Sequence, residues 1–478
     1  MQNLTSLYNL KFPTVLVYML QATEYQVGPY VDWVNRTHNF NTVMQRRTLD
    51  KTKTARLLLL GISLGIVAQI VSGLVLIYLG HWKQLTGGVY FGVAAIIAYP
   101  LVWAYAATLP LIIGRRVIVA PREQRLATEA DNIFAAHQAV IVAIAGSYGK
   151  TTMKELLATV LSESLKIAAT PANQNVISSH ARYARNLAGD EDVLIIEYGE
   201  GAPGDVARFA RLTHPTHAII TGLAPAHLDH YKTLEAAGRD IFSVATNLPP
   251  DHVFVNHQSP AVDPFVKAGF NLFDNRQALG WRVEKVQTGL AGTSFTLQKG
   301  TKQLPLRSGL VGHHQVSYLA LVAALALQLG LTEKQVKAGI ANTKPFEHRM
   351  QPYSLNGAWI IDDTYNGNLE GIRAGTQLLR DLEAKRKIYV TPGLVDQGEA
   401  TERVHIEVGE LIAAAQPDFV VLMQNSVTDY IQQGLTQTNF TGRVQLEAVP
   451  LDFYTNLNHF VAAGDLVVMQ NDWTDNYA

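Results

Sequence analysis

The 478-residue sequence contains no cysteine. Disulfides, thiolate zinc ribbons and a cysteine nucleophile are therefore excluded. Charge is also scarce: 17% of residues are charged and the formal net charge is −1. Such a balance gives no broad electrostatic footprint for nucleic acid. The N-terminus does not show a basic start, short apolar core and small-residue site in the order of a cleavable signal peptide. The shortage of charge is uneven. Leu57 to Gly80 and Gln84 to Gly114 hold no Asp, Glu, Lys or Arg, and each is long enough to cross a hydrocarbon core of about 30 Å. Only His81 to Lys83 separates them, which predicts a transmembrane hairpin over residues 51–118. Arg46, Arg47, Lys51, Lys53 and Arg56 precede it, and Arg115, Arg116, Arg122 and Arg125 follow. That distribution predicts a multi-pass protein of the cytoplasmic membrane, with catalytic domains facing the cytoplasm and membrane lipids as partners.

Ahead of the hairpin, residues 1–50 carry Phe12, Val15, Leu16, Met19 and Leu20 at helical spacing, followed by Tyr25, Tyr30 and Trp33. An amphipathic interfacial helix and a helix packed on its own protein both fit this pattern. Gly61 and Gly65 form a small-xxx-small pair that would allow close helix approach.

The stretch most informative about chemistry is Val140 to Glu155, VIVAIAGSYGKTTMKE. The apolar run Val140 to Ile144 predicts a buried parallel strand. Gly146, Ser147, Tyr148 and Gly149 make a turn, and Lys150, Thr151 and Thr152 open a helix. Free N–H groups at such a helix start, aligned with the helix dipole, bind phosphate. Lys150 would reach the β and γ phosphates of ATP, and the Thr151 hydroxyl would hold Mg²⁺. Ile144 stands where the common phosphate-loop pattern has its first glycine, so the loop is a variant. Apolar runs at 167–170, 193–197, 218–221 and 252–256 then alternate with helical stretches, which argues a parallel sheet with ligands at its carboxyl ends. At such ends lie Glu197, suited to Mg²⁺, and Asn173 and Asn175, suited to substrate. His227 follows in the loop LAPAHLDHY. Residues 292–310 read as hairpin strands, and a long alanine- and leucine-rich helix covers 318–329. Lys344-Pro345 marks a boundary, beyond which strands at 359–361, 387–390, 419–423 and 465–469 form a second, smaller α/β domain. The predicted organisation is α/β: a parallel-sheet ATPase-like central domain over 119–346 and a Rossmann-like C-terminal domain over 347–478, preceded by the hairpin.

From about residue 125 onward the sequence resembles the Mur ligase superfamily. GSYGKTT matches its phosphate loop, EYG at Glu197 its acidic strand end, and AHLDHY at His227 its histidine loop. IDDTYNGN over 361–368, TPANQN and VDQGEATERVH are similar to the branch that adds D-alanyl-D-alanine to a muramoyl peptide. The resemblance implies that Lys150 binds the γ-phosphate, that Thr151 and Glu197 hold a first Mg²⁺ and that His227 holds a second. His314 and Gln315 would touch the adenine, Arg349 the nucleotide and Asp363 the ribose or adenine side. Tyr365 and Asn366 would line the closed cleft. Two departures stand out. Gly238 occupies the place of a lysine that supports the family's second metal, with Arg239 beside it as a candidate cation near the reacting centre. Gln470-Asn471-Asp472-Trp473 replaces a lysine-containing loop after the last strand.

The function implied is ATP-dependent amide-bond formation through an acyl-phosphate. The partners would be a UDP-linked or lipid-linked muramoyl peptide and an amino acid or dipeptide, with membrane-embedded wall-synthesis proteins nearby. The alternative is a membrane-anchored nucleotide-binding scaffold whose ligase activity is lost or altered.

Overall fold

A computed structural model describes residues 8, 11–23, 25–37, 40, 49–84, 86–171, 177–225, 231–365, 367–395 and 397–471. They fall into two compact units, Met1–Arg125 and Leu126–Ala478.

The first unit is helical. The uncharged run from Leu57 lies within one helix, Lys53–Trp82, which Thr52 caps through Ala55 N. The second run is not one helix. It is divided into Thr86–Ile97, Tyr99–Ala106 and Leu109–Gly114. Pro100 and Pro110 sit in the first turns of the latter two, where proline is tolerated but the preceding helix cannot continue through it. Gly73 and Gly92 let the first two helices touch: a Cβ on Gly92 would lie 2.5 Å from the Gly73 carbonyl oxygen. Gly65 lies beneath the Trp103 ring, whereas Gly61 faces open space. Gln69, the most polar residue of the first run, donates to Ala95 O and accepts from Trp103 Nε1, both at 2.8 Å. Several described residues before residue 50 pack on the helix that follows. Phe12, Val15, Leu16 and Leu20 are buried with Leu58, Ile62 and Ile66 in one core, and Tyr30 donates to Ala104 O at 2.9 Å.

In the second unit, a six-stranded all-parallel sheet has the order β2-β3-β1-β4-β5-β6. Its strands are β1 (Val140–Ala145), β2 (Ile167–Ala169), β3 (Val193–Glu197), β4 (His217–Ile220), β5 (Val253–Asn256) and β6 (Asn271–Phe273). Alternation along β1 feeds two cores: Val142 and Ile144 on one face, Ile141, Ala143 and Ala145 on the other, as the period of a doubly covered strand requires. A four-stranded antiparallel sheet follows, from β7 (Gln277–Ala278) through β8 (Trp281–Gly289) and β9 (Gly292–Lys299) to β10 (Lys302–Ser308). The helix Gln315–Gln328 after it is buried along almost its whole length.

The last sheet has the order β11-β12-β16-β13-β14-β15. Here β11 (Gln351–Leu355) is antiparallel to β12 (Ala358–Asp363), and the rest are parallel: β13 (Arg386–Thr391), β14 (Phe419–Met423), β15 (Arg443–Glu447) and β16 (Asp465–Gln470). The α/β reading holds for both sheets. In the central sheet β1 leads outward to β2, and the chain later returns to β4 on the opposite flank. The crevice of a doubly wound sheet therefore opens at the carboxyl end of β1.

Candidate functional site

The loop after β1 is shaped by two glycines. Gly146 has φ +143° and Gly149 φ +72°. A Cβ on Gly149 would stand 2.1 Å from the Tyr318 hydroxyl, so that position excludes a side chain by conformation and by space. The loop is tied to β4: Ser147 N donates to Gly222 O at 3.0 Å. The Thr221 carbonyl is itself held by Asn256 Nδ2 at 2.9 Å and by the Tyr318 hydroxyl at 3.2 Å. Burial pushes the Tyr148 phenol up to about 12, so it faces the site as a neutral donor.

The helix Lys150–Leu161 begins at this loop, and its first turns carry the charged groups. Lys150 Nζ donates to Gly146 O at 2.5 Å and to Glu200 Oε1 at 3.0 Å. The Thr151 hydroxyl donates to Glu197 Oε1 at 2.9 Å. One turn on, Lys154 is fully buried, with its ammonium 3.4 Å from Glu197 Oε2. That contact is an ion pair without hydrogen-bond geometry, and it leaves Glu197 Oε2 buried without a hydrogen-bond partner. Behind Glu197, Thr170 Oγ1 accepts from its backbone N–H at 3.0 Å, and His180 Nε2 donates to its carbonyl at 3.1 Å. Burial pushes His180 down to about 4, so it acts as a neutral donor.

A cleft of about 440 Å³ lies between this loop and the last sheet. On the central side Tyr148, Thr152, His314, Gln315 and Tyr318 line it, and on the other side Arg349, Asp363, Tyr365 and Asn368. Gln315 Nε2 donates to His314 Nε2 at 2.8 Å, which requires neutral His314. Burial, then His313, pushes His314 down to about 4. The Arg349 guanidinium lies 4.7 Å above the Tyr365 ring, a cation–π contact.

Asp363 ends β12 directly beside Gln470, its register partner at the end of β16. Gln470 Nε2 donates to Asp363 Oδ2 and to Gly371 O, each at 2.7 Å, while Tyr389 donates to Gln470 Oε1 at 2.8 Å. Met350 N donates to Asp363 Oδ1 at 3.1 Å. Burial pushes Asp363 up to about 7, against the lowering effect of these hydrogen bonds and of Arg349. An acid raised on folding holds its proton longer in the native state, so its contribution to stability is complete below the unfolded value near 4 and disappears as pH rises through 7. The difference in urea midpoint between the parent protein and Asp363→Asn should therefore change across pH 5 to 8, with the parent losing stability relative to the variant as pH rises. Parallel midpoints across that range would refute the assignment.

Of the expected site residues, Gly146 to Thr152 and Glu197 converge on one wall of the site, and His314, Gln315, Arg349, Asp363 and Tyr365 join the cleft. His227, Asn173, Asn175 and Asn366 lie outside the described residues. Arg239 does not join the site: its side chain is exposed on the helix Leu234–Ile241 and pairs with Glu235 one turn away. Gly238 has no room for a lysine, because a Cβ there would meet the Phe265 ring at 2.3 Å. Among the described residues, no group of three His, Asp or Glu side chains is placed to hold a metal. Sequence reasoning missed Glu200, Lys154 and His180, and it named Gln470 only as a departure from the lysine-containing loop. The signals available were a second acid three residues beyond Glu197 and a lysine four residues, one helical turn, beyond Lys150.

Residues 144–326 match the Mur ligase middle domain. The chain is 29% identical over 291 residues to the UDP-N-acetylmuramoyl-tripeptide–D-alanyl-D-alanine ligase of Escherichia coli, covering 59% of this chain and 64% of that protein. The Mycobacterium bovis enzyme of the same name is 30% identical over 299 residues, 60% of this chain and 59% of that one. The chain thus spans about three fifths of the length of these relatives. Its fold is similar to MurF from Acinetobacter baumannii, with TM-score 0.63 and 19% identity over 73% of this chain and 77% of that one. It is equally similar to MurF from Thermotoga maritima in complex with ADP, with TM-score 0.63 and 20% identity over 73% and 80%.

These comparisons correct the expected placement as a multi-pass protein of the cytoplasmic membrane. The relatives are ligases named for a UDP-linked tripeptide, and membrane lipids and membrane-embedded proteins gain no support as partners. Lys53–Trp82 and the longer helical stretch Tyr99–Ala136, within which Tyr99–Ala106 and Leu109–Gly114 lie, are long and apolar enough to span, but length and composition alone are weak evidence, since core helices of soluble proteins pass the same test. The central region is what the comparisons establish: residues 144–326 match the Mur ligase middle domain.

Proposed function

We propose that the protein is an ATP-dependent amide ligase of cell-wall precursor synthesis, joining D-alanyl-D-alanine or a similar amino substrate to a UDP-linked muramoyl peptide. The observation that carries this reading is the convergence of Lys150, Thr151 and Glu197 at the carboxyl end of the central sheet, beside a cleft whose other wall is Arg349, Asp363 and Tyr365. The substrate carboxylate attacks the γ-phosphorus of ATP, and ADP leaves as an acyl-phosphate forms. The amine then attacks the acyl carbon, and inorganic phosphate departs.

The protein's part is positioning and charge neutralisation. Backbone N–H groups of the glycine loop and the start of the following helix bind phosphate oxygens, and Lys150 neutralises the transferred group. His314 and Gln315 offer polar contacts at the base end, and the C-terminal wall excludes water from the acyl-phosphate. Mg²⁺ fits the oxygen pair Thr151 and Glu197, because Glu197 Oε2 is buried without a hydrogen bond and this ion keeps most of its shell as water and phosphate; bound there it would offset charge on the phosphates. His227 is the expected ligand of a second ion.

The test is ADP release by the purified full chain supplied with UDP-muramoyl-tripeptide, with and without D-alanyl-D-alanine. ADP and ligated product should appear in equal amounts and only when both substrates are present. The opposing reading, a nucleotide-binding scaffold, draws on the closed packing at Gly238; ADP release indifferent to the amine would remove the ligase reading.

A further inference from the structure

We propose that Gln470 is a positioning residue that holds the Asp363 carboxylate in place for the ribose hydroxyls of the nucleotide. This inference rests on the ATP reading above. Gln470 ends β16, is buried, and acts on the cleft through Asp363, its register partner on β12. Its amide is engaged at both ends. Nε2 faces two acceptors, Asp363 Oδ2 and Gly371 O, each at 2.7 Å, and Oε1 faces one donor, the Tyr389 hydroxyl, at 2.8 Å. Burial holds the Tyr389 phenol well above its ordinary range, so it stays a donor. Turning the amide over would set Oε1 against two acceptors, so it has one orientation. Nor can it swing aside. A Cβ on Gly375 would lie 2.1 Å from Gln470 Oε1, because the helix Leu369–Asp381 closes on the amide.

The consequence falls on Asp363. Met350 N takes one acceptor site on Oδ1, and Gln470 takes one on Oδ2. A carboxylate oxygen has about two such sites, so each keeps one for a ligand in the cleft that Asp363 lines. Two acceptor oxygens in a fixed plane suit the hydroxyls of a ribose, which an acidic side chain at a strand end holds in other nucleotide sites. The charged groups acting on Asp363 are Arg349, which lowers its value, and Asp362, which raises it. Gln470 orients the acid without neutralising it. With an aliphatic side chain at 470, the carboxylate would keep Met350 N as its hydrogen-bond donor, and one donor does not fix its rotation.

The experiment measures the Kd of the full-length protein for ATP and for 2′,3′-dideoxy-ATP, by calorimetry at pH 8 with Mg²⁺. At that pH Asp363, raised to about 7, is mostly ionised. The parent should prefer ATP by at least about tenfold, the scale of hydrogen bonds to a charged acceptor. Gln470→Leu should reduce that preference to within about twofold. Asp363→Ala should do the same, and adding Gln470→Leu to it should leave the ratio unchanged, because Gln470 acts through Asp363. Tyr389→Phe removes only the hydroxyl that locks the amide and should give an intermediate preference; it carries the test should Gln470→Leu fail to fold. If these variants keep the parent's ratio, even with both Kd values raised together, the positioning role is wrong and the ATP reading stands. If the parent binds both nucleotides equally, the inference falls alone. If the parent binds neither, both fall together.

Discussion

Lys150→Ala should lower amine-dependent ADP release by at least about 100-fold, the scale of losing one preorganised charge stabiliser in a transition state. The loss should fall mainly on kcat, because backbone N–H groups of the loop and the base-side contacts still hold the nucleotide. The fold should survive. Lys150 is only partly buried and lies at the open end of its helix, and the helix is anchored by Met153, Leu156, Leu157 and Val160 in the core. The substitution does free Glu200 from its cation, so a modest fall in stability is expected, and circular dichroism should show unchanged helix content. Unaltered turnover would remove Lys150 from the chemistry. Unfolding would show that the Lys150–Glu200 pair is structural.

The elements legible in the sequence are those whose signal is local. The run Val140 to Ile144 is apolar without interruption because β1 is covered on both faces, and the glycines and Lys150 follow it within six residues. The carboxylate at Glu197 could be read because it ends an equally apolar strand. The two edge strands of the last sheet were not legible. β11 carries Pro352 and has no fully buried residue, and β15 is largely exposed or half-buried; neither shows the alternation that marks a strand. The second uncharged run does not show its internal divisions in its composition. Its composition is uniform, but Pro100 and Pro110 divide it.

Among site residues, the missed ones depend on contacts far apart in sequence. Gln470 matters because parallel pairing sets it beside Asp363, 107 positions earlier. The neutral amide stands where the resemblance expects a lysine nearby, and with no cation in that place burial dominates the acid. Arg239 was placed near the chemistry by its neighbour Gly238, yet helical phase turns its side chain outward. His180 gave no signal, since a histidine within a short helix carries no information about the strand end it supports.

Lys154 was hidden in the same way, and it gives the second large effect. Glu197→Ala leaves a fully buried ammonium beside an empty space. Breaking a buried pair by removing one partner costs about 3 to 5 kcal/mol, and the lower end is expected because Glu155 also approaches Lys154 at 3.3 Å. Activity should be lost as well, since Thr151 and Glu197 form the proposed Mg²⁺ site. Stability and chemistry can be separated by the second partner. Replacing Lys154 with Met fills a similar volume without charge, so Glu197→Ala combined with Lys154→Met should regain most of the urea midpoint lost by Glu197→Ala alone, while ligation remains absent. Lys154→Met alone should lose stability, because it strands the Glu197 carboxylate, but its loss should be relieved by added Mg²⁺. An additive double variant, as unstable as the sum of the two single ones, would mean that Lys154 and Glu197 are not coupled. Recovery of ligation in the double variant would mean that the carboxylate at 197 is needed to balance Lys154 and not to hold the metal.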